Sequence, residues 1–228
     1  MSARKMTLQT SKRDAYHLLR EAIVSGQFHP NERLVEAAVA TGLGVGRTAV
    51  RAALVRLDQE GLVTLEVNRG ARVRLITDRE ALEIEEVRAS LEGLLARRAA
   101  SLISPDELSE VHKVLVEMRE LAEAGDSLGY SELNVRFHQL IWSAADHPTA
   151  SRIAGGLKSQ AIRFQYRTIM RPGRREQSLE EHEAIFSALK AHDPDGAEEA
   201  MHRHLSHVLE TLRWAIAAQR NSPSWLPG

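Results

Sequence analysis

Apolar residues recur along this chain in two rhythms, and the change between them divides it. Near the start, Ala15, Leu18, Leu19, Ala22 and Ile23 fall at helical spacing, which predicts a helix from about residue 10 to residue 25. Gly26 ends it and Pro30 bars its continuation. A short helix is expected around residues 35–41, followed by a "GLG" turn and a third helix closed by Gly61. In that third helix Val50, Leu54 and Leu57 stand at i, i+4 and i+7 with Ala53 alongside, forming a stripe to be buried. Two β-prone runs come next, "LVTLEV" and "ARVRLI", separated by "NRG". Asn68 and Gly70 tolerate positive φ there, a hairpin signal. Three small helices plus a hairpin predict a winged helix-turn-helix over residues 1–76.

Past Thr77 the pattern is helical throughout, and residues 77–228 are expected to form an all-α helical bundle. Helices are predicted over 78–101, 105–124, 127–145, 149–170, 176–191 and 195–218, broken at "AGDS", "DHP", "RPGRR" and "HDPD". "TDRE" and "SPDE" have capping-box spacing, and Pro105 sits where a first-turn proline is tolerated. Asp193 and Pro194 repeat the sequence of cap, then proline. The tail "NSPSWLPG" carries no ordering pattern. The fold class is therefore mainly α, with one small β-wing.

Composition narrows the setting. At 228 residues, 43% hydrophobic and only 4% aromatic, the chain can bury a core, and that core must be mainly aliphatic. Without cysteine there is no disulfide and no thiolate metal site, which fits a reducing cytoplasm. No apolar run approaches the roughly 18 residues of a membrane span, and no apolar segment follows the basic start as in a secretory signal. A soluble cytoplasmic protein with no membrane partner is expected. The net charge of -1 conceals an asymmetry: 12 Lys/Arg against 7 Asp/Glu through Ile76, then 18 against 24. A basic front and an acidic back suggest two domains with different partners.

The stretch "LGVGRTAVRAALVRLDQEGLV" contributes to the basic front. Opposite the apolar stripe, the first turn of its helix offers Arg47, Thr48 and Arg51 outward. A helix-turn-helix reader uses that end of its second helix in the major groove, where the planar arginine fork matches a guanine edge or a phosphate. Arg69, beside Gly70 at the hairpin tip, can reach a neighbouring groove, whereas Arg56 lies toward the far side as a solvated or backbone-contacting charge. "ERLVEAAVATGLGVGRTAVRAALVRLDQEGLV" with "NRGARV" resembles the DNA-binding domain of GntR-type transcriptional regulators over about residues 10–76. The resemblance implies that Arg47, Thr48, Arg51, Arg69 and Gly70 contact operator DNA. This chain has Ala37, Ala49 and Ala52 where the family often has Arg, Pro and Glu, and the missing arginine implies an altered operator preference.

Ten histidines invite sorting by face. His138 shares a face with Asn134 and Ile141; His182 stands on the stripe of Ile185, Phe186 and Leu189; His204 stands with Met201 and Val208. His17, His29, His112, His147, His192, His202 and His207 fall on surface or loop positions. A lone histidine on an apolar face is usually a hydrogen-bonded core residue. Three on three helices with an Asn oxygen one turn away also suit a divalent ion such as zinc or nickel. Chemistry alone leaves both readings open. Arg88, on the stripe of Ile84, Leu91 and Leu95, is either paired with Glu92, snorkelling outward, or aimed at the carboxylate of a small acid.

The segments "EVRASLEGLLARRAA", "NVRFHQLIWSAADHP" and "EHEAIFSALKAHDPDGAEEAMHRHL" are similar to the FadR-type C-terminal ligand-binding domain, called FCD, of GntR regulators. That resemblance implies a metal held by Asn134, His138, His182 and His204, with Asn in place of a more usual Asp at the first position. The expected function is a transcription factor, a repressor, that binds a palindromic operator as a homodimer. A small organic acid held by Arg88 and the metal would shift the two DNA-binding heads. A rival reading is a metal-dependent hydrolase or lyase with an accessory DNA-binding domain. Its base would be Glu181 or Glu183, both of which flank His182 and so leave the inward stripe. A third is a metal-stabilised bundle without effector.

Overall fold

In the computed structural model, residues 14–66, 69–169 and 171–221 are described. The expected start of the first helix near residue 10, Asn68 at the hairpin tip, Met170 at the end of the fourth bundle helix and the tail beyond Asn221 lie outside them. The chain divides into two units, Met1–Leu75 and Ile76–Gly228.

The first unit contains α1 (Ala15–Val24), β1 (Arg33–Leu34), α2 (Glu36–Leu43), α3 (Arg47–Gln59), β2 (Val63–Glu66) and β3 (Gly70–Val73). Asp14 caps α1 by accepting from the Tyr16 N–H. The chain turns by 109° between α2 and α3, within the roughly 90–120° of helix-turn-helix pairs. Val50, Ala53, Leu54 and Leu57, the stripe read from the sequence, are buried against Leu19, Ile23, Leu34, Ala71 and Val73. The hairpin is correct but incomplete, because β1 adds a third antiparallel strand in the order β1-β3-β2. Two residues are too few to show alternation in sequence, yet Arg33 pairs with Arg72 and Leu34 with Ala71. Gly70 makes this approach possible: its φ is 88° and an added Cβ would collide with the Leu34 carbonyl oxygen.

The second unit is helical throughout its described residues: α4 (Asp78–Leu102), α5 (Pro105–Ala124), α6 (Ser127–Ala144), α7 (Pro148–Ile169), α8 (Arg174–Lys190) and α9 (Pro194–Asn221). These bounds follow the sequence reading to within two residues, except that α9 runs further. The reason is that the stop and start chemistry is explicit. Thr77 accepts from the Glu80 N–H, Ser104 and Glu107 complete a capping box around Pro105, and the Gly196 N–H donates to Asp193. The core is aliphatic as expected, with Leu95, Val111, Leu115, Met118, Phe137, Ile141, Ile185, Leu189, Met201 and Leu205 buried together. α4 runs through its middle, and Gly93 lets α9 close on it, since a Cβ there would strike the His202 ring. Among the described residues no single helix is long and apolar enough to cross a membrane.

Candidate functional site

α6, α8 and α9 each turn one imidazole into the second unit's interior. His138, His182 and His204 are 1%, 0% and 2% exposed, and one ring nitrogen of each lies within 4.8 Å of the others. The sequence stripes had placed all three inward, and the structure brings them to one point. Asn134, one turn before His138, has a buried Oδ1 with no hydrogen-bond partner. Both ring nitrogens of His182 are buried without a partner as well. Such orphaned groups are costly unless something satisfies them.

Two buried carboxylates stand behind the cluster. The His138 Nδ1–H donates to Glu92 Oε2 at 2.6 Å and the His204 Nδ1–H to Glu181 Oε2 at 2.7 Å. Burial holds the imidazoles neutral: His138 is lowered to about 4, with Lys158 adding to the effect, and His182 and His204 lie well below the usual range. A neutral ring that donates through Nδ1 keeps its Nε2 lone pair, the arrangement in which carboxylates orient histidine ligands around a metal. The donor set, three imidazoles and one amide oxygen, therefore fits a divalent ion of the zinc or nickel type.

The sequence offers Glu92 only as a partner for Arg88 and does not mark it as part of the site. It is fully buried and also accepts from the Trp142 Nε1–H at 3.2 Å. Burial acts to raise its pKa, but Arg88 and His138 outweigh that and hold it well below the carboxylate range. Glu181 is a correction. It does not leave the interior, being 8% exposed and accepting from Arg174, His204 and His207. Helix α8 is deep enough in the bundle to bury the position before His182 too. His207, read as surface, is half-buried through that bond. Glu183 does face outward, where it pairs with Arg119 at 2.6 Å.

Beside the cluster lies a cavity of about 50 Å³, lined by Arg88, Asn134, His138, Lys158, Arg174 and His204 among others. Arg88 is buried and doubly paired, to Glu92 as the spacing allowed and also to Glu85 at 2.8 Å. Burial opposes its charge, yet those two carboxylates raise its pKa. Lys158 and Arg174 are buried lining cations that sequence reasoning did not single out. One sits inside a helix among small and polar residues, the other just past a Pro-Gly break, and neither lies on a clear apolar stripe.

In the first unit, Arg47, Thr48 and Arg51 are exposed at the start of α3, and Arg69 is exposed at the wing beside Gly70. Arg47, Arg51, Arg69 and Gly70 line one concavity together with Arg33 and Glu36. Arg51 is 69% exposed but not free: its Nε and Nη2 donate to the two oxygens of Glu36 at 2.9 and 2.8 Å. Those bonds hold the Glu36 carboxyl below its ordinary value. Arg56, with its side chain 56% exposed, also makes contacts within the unit. It lies 3.6 Å over the Tyr16 ring and pairs with Glu60, fixing α3 to α1.

The family model described as bacterial regulatory proteins, gntR family, matches residues 11–73, and that of the FCD domain matches residues 83–207. The HTH-type transcriptional repressor RspR of Escherichia coli (strain K12) is 31% identical over 205 residues, 90% of each chain. The Nta operon transcriptional regulator of Aminobacter aminovorans is 32% identical over 209 residues, 88% of this chain and 97% of that one. The solved structure of E. coli McbR/YncC shares the fold with a TM-score of 0.73 at 22% identity, over 91% of this chain and 97% of that one. These domains and relatives belong to regulators and not to enzymes, which sets aside the hydrolase or lyase reading. A gntR-type winged helix-turn-helix followed by an FCD domain means that this chain belongs to the GntR family of transcriptional regulators.

Proposed function

We propose that this regulator is a cytoplasmic repressor that binds a near-palindromic operator as a homodimer and responds to a small organic acid at a metal-containing cavity. Arg47, Thr48 and Arg51 enter the major groove from the start of α3, and Arg69 and Gly70 of the wing reach the adjacent groove or backbone. Glu36 holds the Arg51 fork in one orientation before DNA arrives. Two-fold symmetry doubles the few base pairs that one such unit can read.

Asn134, His138, His182 and His204 hold the divalent ion, which when bound supplies positive charge for an acid's carboxylate. Glu92 and Glu181 keep His138 and His204 turned toward it, and the Arg88–Glu85–Glu92 group forms a fixed polar wall. Arg88 contributes to acid binding as part of that wall, its fork already engaged by two carboxylates. An acid that binds one arrangement of the dimer better changes operator affinity by the same factor that DNA changes acid affinity.

The observation that carries this reading is the three buried imidazoles that bring one nitrogen each within 4.8 Å of the others, beside the partnerless Asn134 Oδ1. Elemental analysis of the purified protein, together with operator binding at rising salt with and without a chelator, tests it. A bound divalent ion and a steep salt slope support the reading. A metal-free protein whose operator binding ignores added zinc and nickel rejects the metal, and melting that depends on metal with no response to any acid rejects the effector.

A further inference from the structure

The cations around the cavity are not equivalent. Arg88 spends its fork on Glu85 and Glu92, with contacts of 2.5–3.0 Å. Arg174 gives its Nη2 to Glu181 at 2.9 Å, but its Nη1 is buried with no partner. Lys158 is only 7% exposed and makes no ion pair among the described residues; its nearest special contact is the Trp142 ring at 5.6 Å. A buried ammonium without a direct ion pair and a buried guanidinium with an idle N–H are both groups that a ligand can satisfy.

Resting on the acid-effector reading above, we infer that Lys158 and the Arg174 Nη1 bind a second anionic group, so that the effector is a short dianionic acid and not a monocarboxylate. The first carboxylate goes to the histidine end of the cavity, and the second to Lys158 and Arg174. Size agrees. The cavity offers about 50 Å³ to the centre of a water-sized sphere, room for a few waters, which keeps the acid short. Charge agrees as well. Arg88 is neutralised by Glu85 and Glu92, whereas Lys158 has no ion pair among the described residues and Arg174 keeps its Nη1 unpartnered.

Calorimetry of the full chain supplied with zinc, titrated with succinate and with butyrate, tests the inference; phosphoglycolate against glycolate separates a second carboxylate from a phosphate. In at least one pair the dianion is expected to bind about tenfold tighter or more. Lys158→Met should bring that ratio close to one, Lys158→Arg should restore much of it, and Arg174→Gln should reduce it. Equal affinity for dianion and monoanion in both pairs overturns the inference while leaving acid binding intact, as does a preference that survives Lys158→Met. Absence of binding by all four acids, with metal bound, overturns the acid-effector reading itself.

Discussion

Replacing Lys158 by methionine should stabilise the protein at neutral pH, against the usual direction of mutations. The lysine is buried without a paired anion. Burial first, then repulsion from Arg88, lowers its pKa from 10.5 to about 8, although Glu92 and Glu85 pull the other way. A shift of that size corresponds to about 3 kcal/mol disfavouring the charged folded form. Contact with the Trp142 ring offsets about 1 kcal/mol of it, so Lys158→Met should gain about 1–3 kcal/mol at pH 7. The pH dependence follows from the direction of the shift. The cost is present in full below about 8 and fades as pH rises toward the unfolded value. The difference between variant and parent should therefore close between these limits. Urea unfolding of chelator-treated protein by tryptophan fluorescence suits the purpose, because Trp142 and Trp214 report on the second unit and the sequence before residue 76 has no tryptophan. A variant less stable than the parent at pH 7, or a gap that does not change with pH, would refute the reasoning.

Zinc or nickel at about 100 times its dissociation constant should add about 2.7 kcal/mol of stability, and His182→Ala should remove that gain, as thermal melts with and without metal will report. Gly70→Ala places a Cβ against the Leu34 carbonyl at positive φ and should cost the first unit more than about 1 kcal/mol, measured by circular dichroism. Arg51→Ala should weaken operator binding by about 1–3 kcal/mol and relax the preference at one base pair; selection from randomised duplexes reads out both effects.

How much of this was legible depended on whether a residue announced itself by period or by partner. The stripe Val50, Leu54, Leu57 and the inward faces of His138, His182 and His204 follow from spacing on one helix, so sequence sufficed. Capping chemistry at Thr77, Ser104 and Asp193 fixed the bundle's element boundaries for the same local reason. The strand at Arg33–Leu34 was hidden because it exists only through pairing with β3. Lys158, Arg174 and the burial of Glu181 were hidden because their roles come from what other helices bring to them. The carboxylates behind the histidines carried a faint signal: Glu92 lies one turn from Arg88 and one residue from the apolar Leu91.

The most direct test of coupling between the two units is operator affinity measured by fluorescence anisotropy, using a duplex recovered from genomic fragments that the zinc-loaded protein retains. Adding succinate should change the dissociation constant by about fivefold or more, and His182→Ala should erase the change while leaving a steep salt dependence. A dissociation constant that is the same with and without every acid tried, in metal-loaded protein, would contradict the account.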